Sequence, residues 1–390
     1  MLNIEKRFNQ TFEIDKAKLE EALREALKKI SGNLPEYETS FPSHASVNNV
    51  YGKDDNTLGW NQGFWTGILW IAYELTGEEK YRNAAEAQIE SYVNRIKNRI
   101  DVNHHDMGFL YTPSCVAAYK LTGNEKAKDA AIMAADVLME RYHKKGGFIQ
   151  AWGEIGAPEH YRFIIDCLLN IPLLYWASEV TGNDKYEKAA YDHFNATANN
   201  IVRPDGSTYH TFYFDIETGL PKKGVTHQGD GDNSCWARGQ AWGIYGFMLT
   251  YIYKQDKRCV ELFKRVSNYF LAKLPEDYVP FWDLIFTEAD KQERDSSAAA
   301  IAACGLIEGA YTIEDKKEKE FYMSAACRII NSLIDEYTTK NDEKSNGLLL
   351  HAVYGKPQGI GVDECNIWGD YFYMEALARL IKGESFKGYW

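Results

Sequence analysis

Two aspartates, Asp106 and Asp166, each stand at the start of an apolar helical run. Asp is a preferred helix cap, so capping competes with chemistry as the reason for either one. The pair shifts that balance. Two carboxylates converging on one aromatic pocket cannot both ionise freely, because burial and like-charge repulsion push one upward. The raised carboxyl can give a proton near neutral pH while its partner stays ionised. That division of labour suits hydrolysis of sugars.

Four segments set polar residues among aromatics. They are Gly59-Trp-Asn-Gln-Gly-Phe-Trp65, Asn103-His-His-Asp-Met-Gly108, Tyr161-Arg-Phe-Ile-Ile-Asp166 and the stretch from His227 to Trp242. His105 and His210 read either as hydrogen-bonded rim histidines or as substrate ligands. Arg238 lies inside the aromatic run Trp236–Trp242 and requires an acid of the protein or an anionic ligand. Trp60, Phe64, Trp152 and Trp242 read as core residues or as stacking platforms. His104-His-Asp106 has no spacing specific to zinc. Gly229-Asp-Gly-Asp-Asn233 lacks the twelve-residue layout and terminal Glu of an EF-hand. No metal or organic cofactor is expected.

These segments need elements to hold them. The chain repeats an apolar, aromatic-rich run that ends in a turn and is followed by a polar amphipathic run. Three copies end alike, in Leu75-Thr-Gly77, Leu121-Thr-Gly123 and Val180-Thr-Gly182. Such spacing marks repeated supersecondary units. Each Thr-Gly supplies the left-handed residue that ends a helix, and the Asn, Asp or Glu that follows restarts one. The polar run Lys126–Tyr142 carries Ala127, Ala130, Ala131, Ala134, Val137, Leu138 and Tyr142 on one stripe. Ile164–Trp176 is apolar nearly all round and must be buried, with Pro172 imposing a kink or break. Inner helices are predicted near 60–75, 108–122, 166–181, 236–254, 295–311 and 369–382. Outer helices are predicted near 13–30, 78–98, 124–142, 184–201, 257–273 and 315–336. Six hairpins make an all-α fold, an α6/α6 barrel. An open solenoid is the alternative, but the Trp and Tyr of the inner runs call for cover on two sides. All four polar segments precede or open inner helices, which places them on one rim.

Composition agrees with this reading. Nothing resembling a linker divides the 390 residues, so residues 1–390 read as one catalytic domain. Apolar content of 45% supports a large core, and 14% aromatic content suits sugar stacking. A net charge of −12 argues against nucleic acid. No apolar run is long enough to cross a membrane. The opening Met1–Gln10 lacks a signal core. Seven cysteines with neither disulfide nor metal spacing read as buried thiols. These features suggest a cytoplasmic protein.

In this order the motifs resemble the unsaturated glucuronyl hydrolases of glycoside hydrolase family 88. The likeness runs from about residue 20 to 382. It is carried by the segments at 60–65, 104–109, 162–170 and 227–242, with Val362-Asp-Glu-Cys-Asn-Ile-Trp-Gly-Asp-Tyr371. The resemblance implies an α6/α6 barrel. It also implies release of a 4,5-unsaturated uronic acid from lyase-generated glycosaminoglycan oligosaccharides (chondroitin, hyaluronan or related) by hydration of the double bond. By that logic Asp166 protonates C4 and then helps water add at C5, while Asp106 holds ring hydroxyls and tunes Asp166. His105, His210, Gln228, Arg238 and Trp242 match positions that contact the unsaturated sugar, with Arg238 a candidate for its carboxylate. Trp60, Phe64 and Trp152 match aromatic positions around the sugar subsites. Some relatives carry Ser-x-x-Ser-x-Lys, associated with sulfate recognition, where this chain has Gly355-Lys-Pro-Gln-Gly-Ile360. Broader or unsulfated specificity is therefore expected. The competing readings are an unsaturated rhamnogalacturonyl hydrolase acting on pectin fragments, a sugar 2-epimerase on a similar barrel, and a non-catalytic carbohydrate-binding protein.

Overall fold

The computed structural model describes residues 5–8 and 10–390. Part of the opening segment, Met1–Ile4 and Asn9, lies outside the described residues. Six inner helical paths alternate with six outer helices. The inner ones are Gln62–Thr76, Met107–Thr122, Ile165–Thr181, Ala237–Lys254, Ser296–Thr312 and Ile367–Lys382. The outer ones are Lys16–Tyr37, Glu79–Lys97, Glu125–Met139, Asp184–Asn200, Lys257–Lys273 and Lys316–Ser332. The ring closes. The last inner helix packs on the first inner helix and on Lys16–Tyr37. A Cβ on Gly67 would sit 2.5 Å from the Tyr371 ring, so only Gly allows the closing helices to approach this tightly. The fold is an α6/α6 barrel.

Local sequence explains the boundaries. Gly77, Gly123 and Gly182 are all left-handed, with φ of 70°, 71° and 69°, and end their helices as expected. Asn124 and Asn183 cap the next helices through their side chains, whereas Glu78 makes no side-chain cap. Inner helices are buried nearly all round: Ala237–Thr250 shows no exposed position. Outer helices bury one stripe, as Cys259, Leu262, Phe263, Val266 and Phe270 do.

Of the kink or break expected at Pro172, the third inner run shows the break, while two other expectations need correction. Ile165–Leu169 is a 3₁₀ turn and the α-helix starts at Pro172, where the missing N–H costs nothing. The outer helix expected to 142 stops at Met139. Tyr142 instead pairs with Ile149 in a two-residue hairpin turned by Gly146 and Gly147. The first outer helix runs to Tyr37, well beyond residue 30. The second inner path also contains a π-turn, Thr112–Val116, next to Pro113.

Short antiparallel strands decorate one rim. Arg162–Ile164 pairs with Thr211–Phe214, which pairs with Pro221–Val225. Ala352–Gly355 pairs with Ile360–Glu364 just before the last inner helix. All seven cysteines are free and buried. Among the described residues no helix is long and apolar enough to cross a membrane.

Candidate active site

One rim holds a cavity of about 250 Å³. Its wall includes Trp60, His105, Asp106, Trp152, Asp166, Gln228 and Arg238. The four polar segments therefore do converge. His210, Phe64 and Trp242 are buried and do not form its wall. Phe64 packs behind it against Phe109 and Tyr371, with ring centroids 5.4 and 5.3 Å away, so it is a core aromatic.

Neither aspartate caps a helix through its side chain. Asp106 occupies the N-cap position of Met107–Tyr111 without a side-chain capping bond, and Asp166 lies inside its 3₁₀ turn. Their environments diverge. Asp106 Oδ1 is 3.2 Å from His105 Nε2, and the Asn170 amide donates to it at 3.4 Å. Burial alone would raise Asp106, but His105, His104 and Asn170 outweigh it and hold the carboxyl below its usual range. Asp166 has no such support. Burial first, and the Asp106 charge second, push it up to about 7, against the pull of Arg238. It is therefore a proton donor beside an anion at neutral pH.

Burial works against the charged form of both histidines. Burial lowers His105 to about 4. Burial, with the positive influence of His227 and Arg238, holds His210 well below its usual value. His210 Nδ1 accepts the His227 N–H at 3.0 Å. The hydrogen-bond network therefore assigns the ring proton to Nε2, which lies 3.8 Å from Asp166 Oδ1. Among the described residues, both ring nitrogens of His105, Asp166 Oδ1, His210 Nε2 and Trp242 Nε1 are buried without a hydrogen-bond partner. Buried polar atoms are normally satisfied, so this concentration around two carboxylates marks a ligand site.

Arg238 meets an acid of the protein. It donates to Asp295 at 3.2 Å, to the Tyr354 carbonyl at 2.6 Å and to the Val353 carbonyl. Asp295 in turn caps the helix Ser296–Thr312. The indole of Trp60 donates to the Tyr354 hydroxyl at 3.1 Å and leans on Trp368 and Phe109. Trp242 is fully buried between Phe109 and Phe372.

Sequence reasoning missed Tyr354 and Asp283, and it tied Gly355–Ile360 to specificity only through the resemblance. Tyr354, Gly355, Gln358 and Ile360, all on the late hairpin, also line the wall. Gln228 donates to the Tyr354 carbonyl at 2.9 Å, and Gln358 donates to the His227 carbonyl at 2.8 Å, so hairpin and loop are tied across the mouth. Asp283 organises the acidic loop from a distance, accepting from Asp230 N, Ser234 Oγ and Cys235 N. Among the described residues no group of three His, Cys, Asp or Glu side chains is disposed to hold a metal ion. The only advance signal was the resemblance at Gly355–Ile360; nothing in the sequence singled out Tyr354 or Asp283.

The pattern of Glycosyl Hydrolase Family 88 matches residues 36–382. The chain belongs to this family. The chain is similar to the unsaturated chondroitin disaccharide hydrolase of Streptococcus agalactiae, 53% identical over 386 residues, which span 99% of this chain and 96% of that one. The crystal structure of an unsaturated glucuronyl hydrolase from the same species superposes with a TM-score of 0.96 at 52% identity, covering 100% of this chain and 98% of that one. A variant of that enzyme complexed with dGlcA-GalNAc6S superposes at 0.88, with 48% identity and coverage of 100% and 97%. Family 88 membership makes this chain a glycoside hydrolase.

Proposed function

We propose that this protein is an unsaturated glucuronyl hydrolase. It removes the 4,5-unsaturated uronic acid from the non-reducing end of lyase-generated glycosaminoglycan oligosaccharides. The observation that carries the reading is the split between Asp166, raised to about 7, and the anionic Asp106 in a cavity sized for one or two sugar rings. Family membership and the relatives' activities support it.

Asp166 gives its proton to C4 of the enol ether. The C4=C5 π electrons form the new C–H bond, and the positive charge at C5 is shared by the ring oxygen. The Asp166 carboxylate then takes a proton from the water that adds at C5. The hemiketal opens to a C5 ketone, and C1, now a hemiacetal, expels the partner sugar. Asp106 and His105 hold ring hydroxyls, and the Nε2–H of His210 steadies the Asp166 anion between the two steps. Trp60 and Trp152 supply apolar faces for the rings. In D2O the account predicts loss of the vinylic H4 resonance and one deuterium at C4. Release of the partner sugar with the double bond intact would overturn it.

Specificity follows from the hairpin. Gly355, Gln358 and Ile360 stand on the cavity wall where a sulfate-recognising relative would have Ser, Ser and Lys. Lys356 does not take over, since it is engaged by Glu293 at 2.5 Å. Unsulfated disaccharides are therefore preferred to 6-sulfated ones. A large preference for the 6-sulfated substrate in turnover would refute this. Seven buried thiols are consistent with a cytoplasmic enzyme acting on imported lyase products.

A further inference from the structure

The protein carries a net charge of −12 yet must hold an anionic sugar. Arg238, the cation on the cavity wall, is already paired with Asp295. A second cation lies behind the wall. Arg162 is 5% exposed, and among the described residues no carboxylate lies within 4 Å of it. It donates through one nitrogen to the Glu159 carbonyl at 3.1 Å and contacts His160 Nδ1 at 3.0 Å. Among the described residues Arg95, Arg238 and Arg379 are also buried and each reaches a carboxylate, while Arg141 reaches none but is held by the carbonyls of Asn103, Gln150 and Gly153. Leaving Arg162 uncompensated costs stability, so its charge calls for a purpose.

Its guanidinium lies 4.4 Å from the centroid of the Trp152 ring. Trp152 lines the cavity and Arg162 does not. The loop under Trp152 is braced as well. Gln150 gathers the carbonyls of Trp152, Gly153 and Glu154, and Arg141 donates to the Gly153 carbonyl at 3.0 Å. A cation on one face of an indole draws π density toward itself and leaves the other face less negative. Such a platform disfavours a negatively charged ring less than a bare indole would.

We propose that Arg162 is a positioning residue that fixes Trp152 and adapts its cavity face to an anionic sugar, so that the enzyme favours the free uronate over its uncharged form. The inference rests on the functional reading above. Binding is measured by calorimetry in the Asp166→Asn background, with an unsaturated chondroitin disaccharide and with its methyl ester, which lacks the charge. Arg162→Met is expected to weaken binding of the acid about tenfold and of the ester less than about threefold. Arg162→Lys, which keeps the charge, is expected to retain the preference for the acid. A purely structural role would weaken both ligands equally. Equal loss, no loss, or a lost preference in Arg162→Lys would each overturn the proposal. If Arg162→Met fails to fold, Arg162→Gln carries the same comparison. Absence of binding when Arg162 is intact would refute the functional reading, and this inference with it. Turnover by the wild-type enzyme tests that reading separately.

Discussion

Asp166→Asn should make the folded protein more stable, and only above mildly acidic pH. The unfolded carboxyl titrates near its ordinary value of 3.8, whereas burial and the Asp106 charge move the folded one to about 7. Between those values the folded state holds a proton that the unfolded state has released. Stability from this group is therefore full below about pH 4 and is lost as pH rises through 7. Three pH units at about 1.4 kcal/mol each make a penalty of about 4 kcal/mol at pH 8, an upper bound because water entering on ionisation relieves part of it. Asn keeps the shape and cannot ionise. An unfolding entropy of about 2.1 cal/mol/K per residue converts the difference to roughly 5 °C in Tm for a chain of this length. Asp370, also raised to about 7 by burial, is common to both proteins and cancels in the comparison. Melting curves of wild type and variant at pH 4.5 and pH 8 are the assay. The variant's advantage should be small at the lower pH and open to several degrees at the higher. A difference that does not change with pH, or a variant less stable at pH 8, would show that Asp166 is not held protonated by its surroundings.

Other outcomes follow from the same geometry. The kcat/KM profile should fall about tenfold per unit above roughly pH 7, because the acid must carry its proton; Asp106→Asn should move that limb to lower pH. Gly108→Ala should cost roughly 3 kcal/mol in denaturation and lower activity further. Its Cβ would stand 2.3 Å from the Asn170 backbone, displacing the amide that holds Asp106. Ile360→Lys should raise turnover of 6-sulfated relative to unsulfated disaccharide about fivefold, read from paired initial rates.

The barrel was legible because its signals are local. Thr-Gly ends, capping Asn residues and apolar runs act within a few residues of themselves, and the helices they predicted are all present. Tyr142 was misplaced because a stripe of helical period says nothing about the Gly146-Gly147 turn that reverses the chain. The two aspartates were legible as a pair only through the ring, which brings the start of one inner path beside the start of the next. What stayed hidden depends on contacts between distant segments. The late hairpin meets the 227–228 loop only after the barrel closes. Asp295 looks like a simple cap until Arg238 reaches it. Arg162 looked like one more residue of a motif, and its missing counterion, its sparse hydrogen bonding and its place against Trp152 distinguish it only in combination.

The most direct test follows the near-ultraviolet absorbance of an unsaturated chondroitin or hyaluronan disaccharide, since hydration destroys the conjugated enol ether. The account predicts steady loss of absorbance with the wild-type protein and a rate at least about a hundredfold lower in folded Asp166→Asn. Partner sugar released with the absorbance unchanged, or an Asp166→Asn protein that still bleaches the substrate at the wild-type rate, would contradict it.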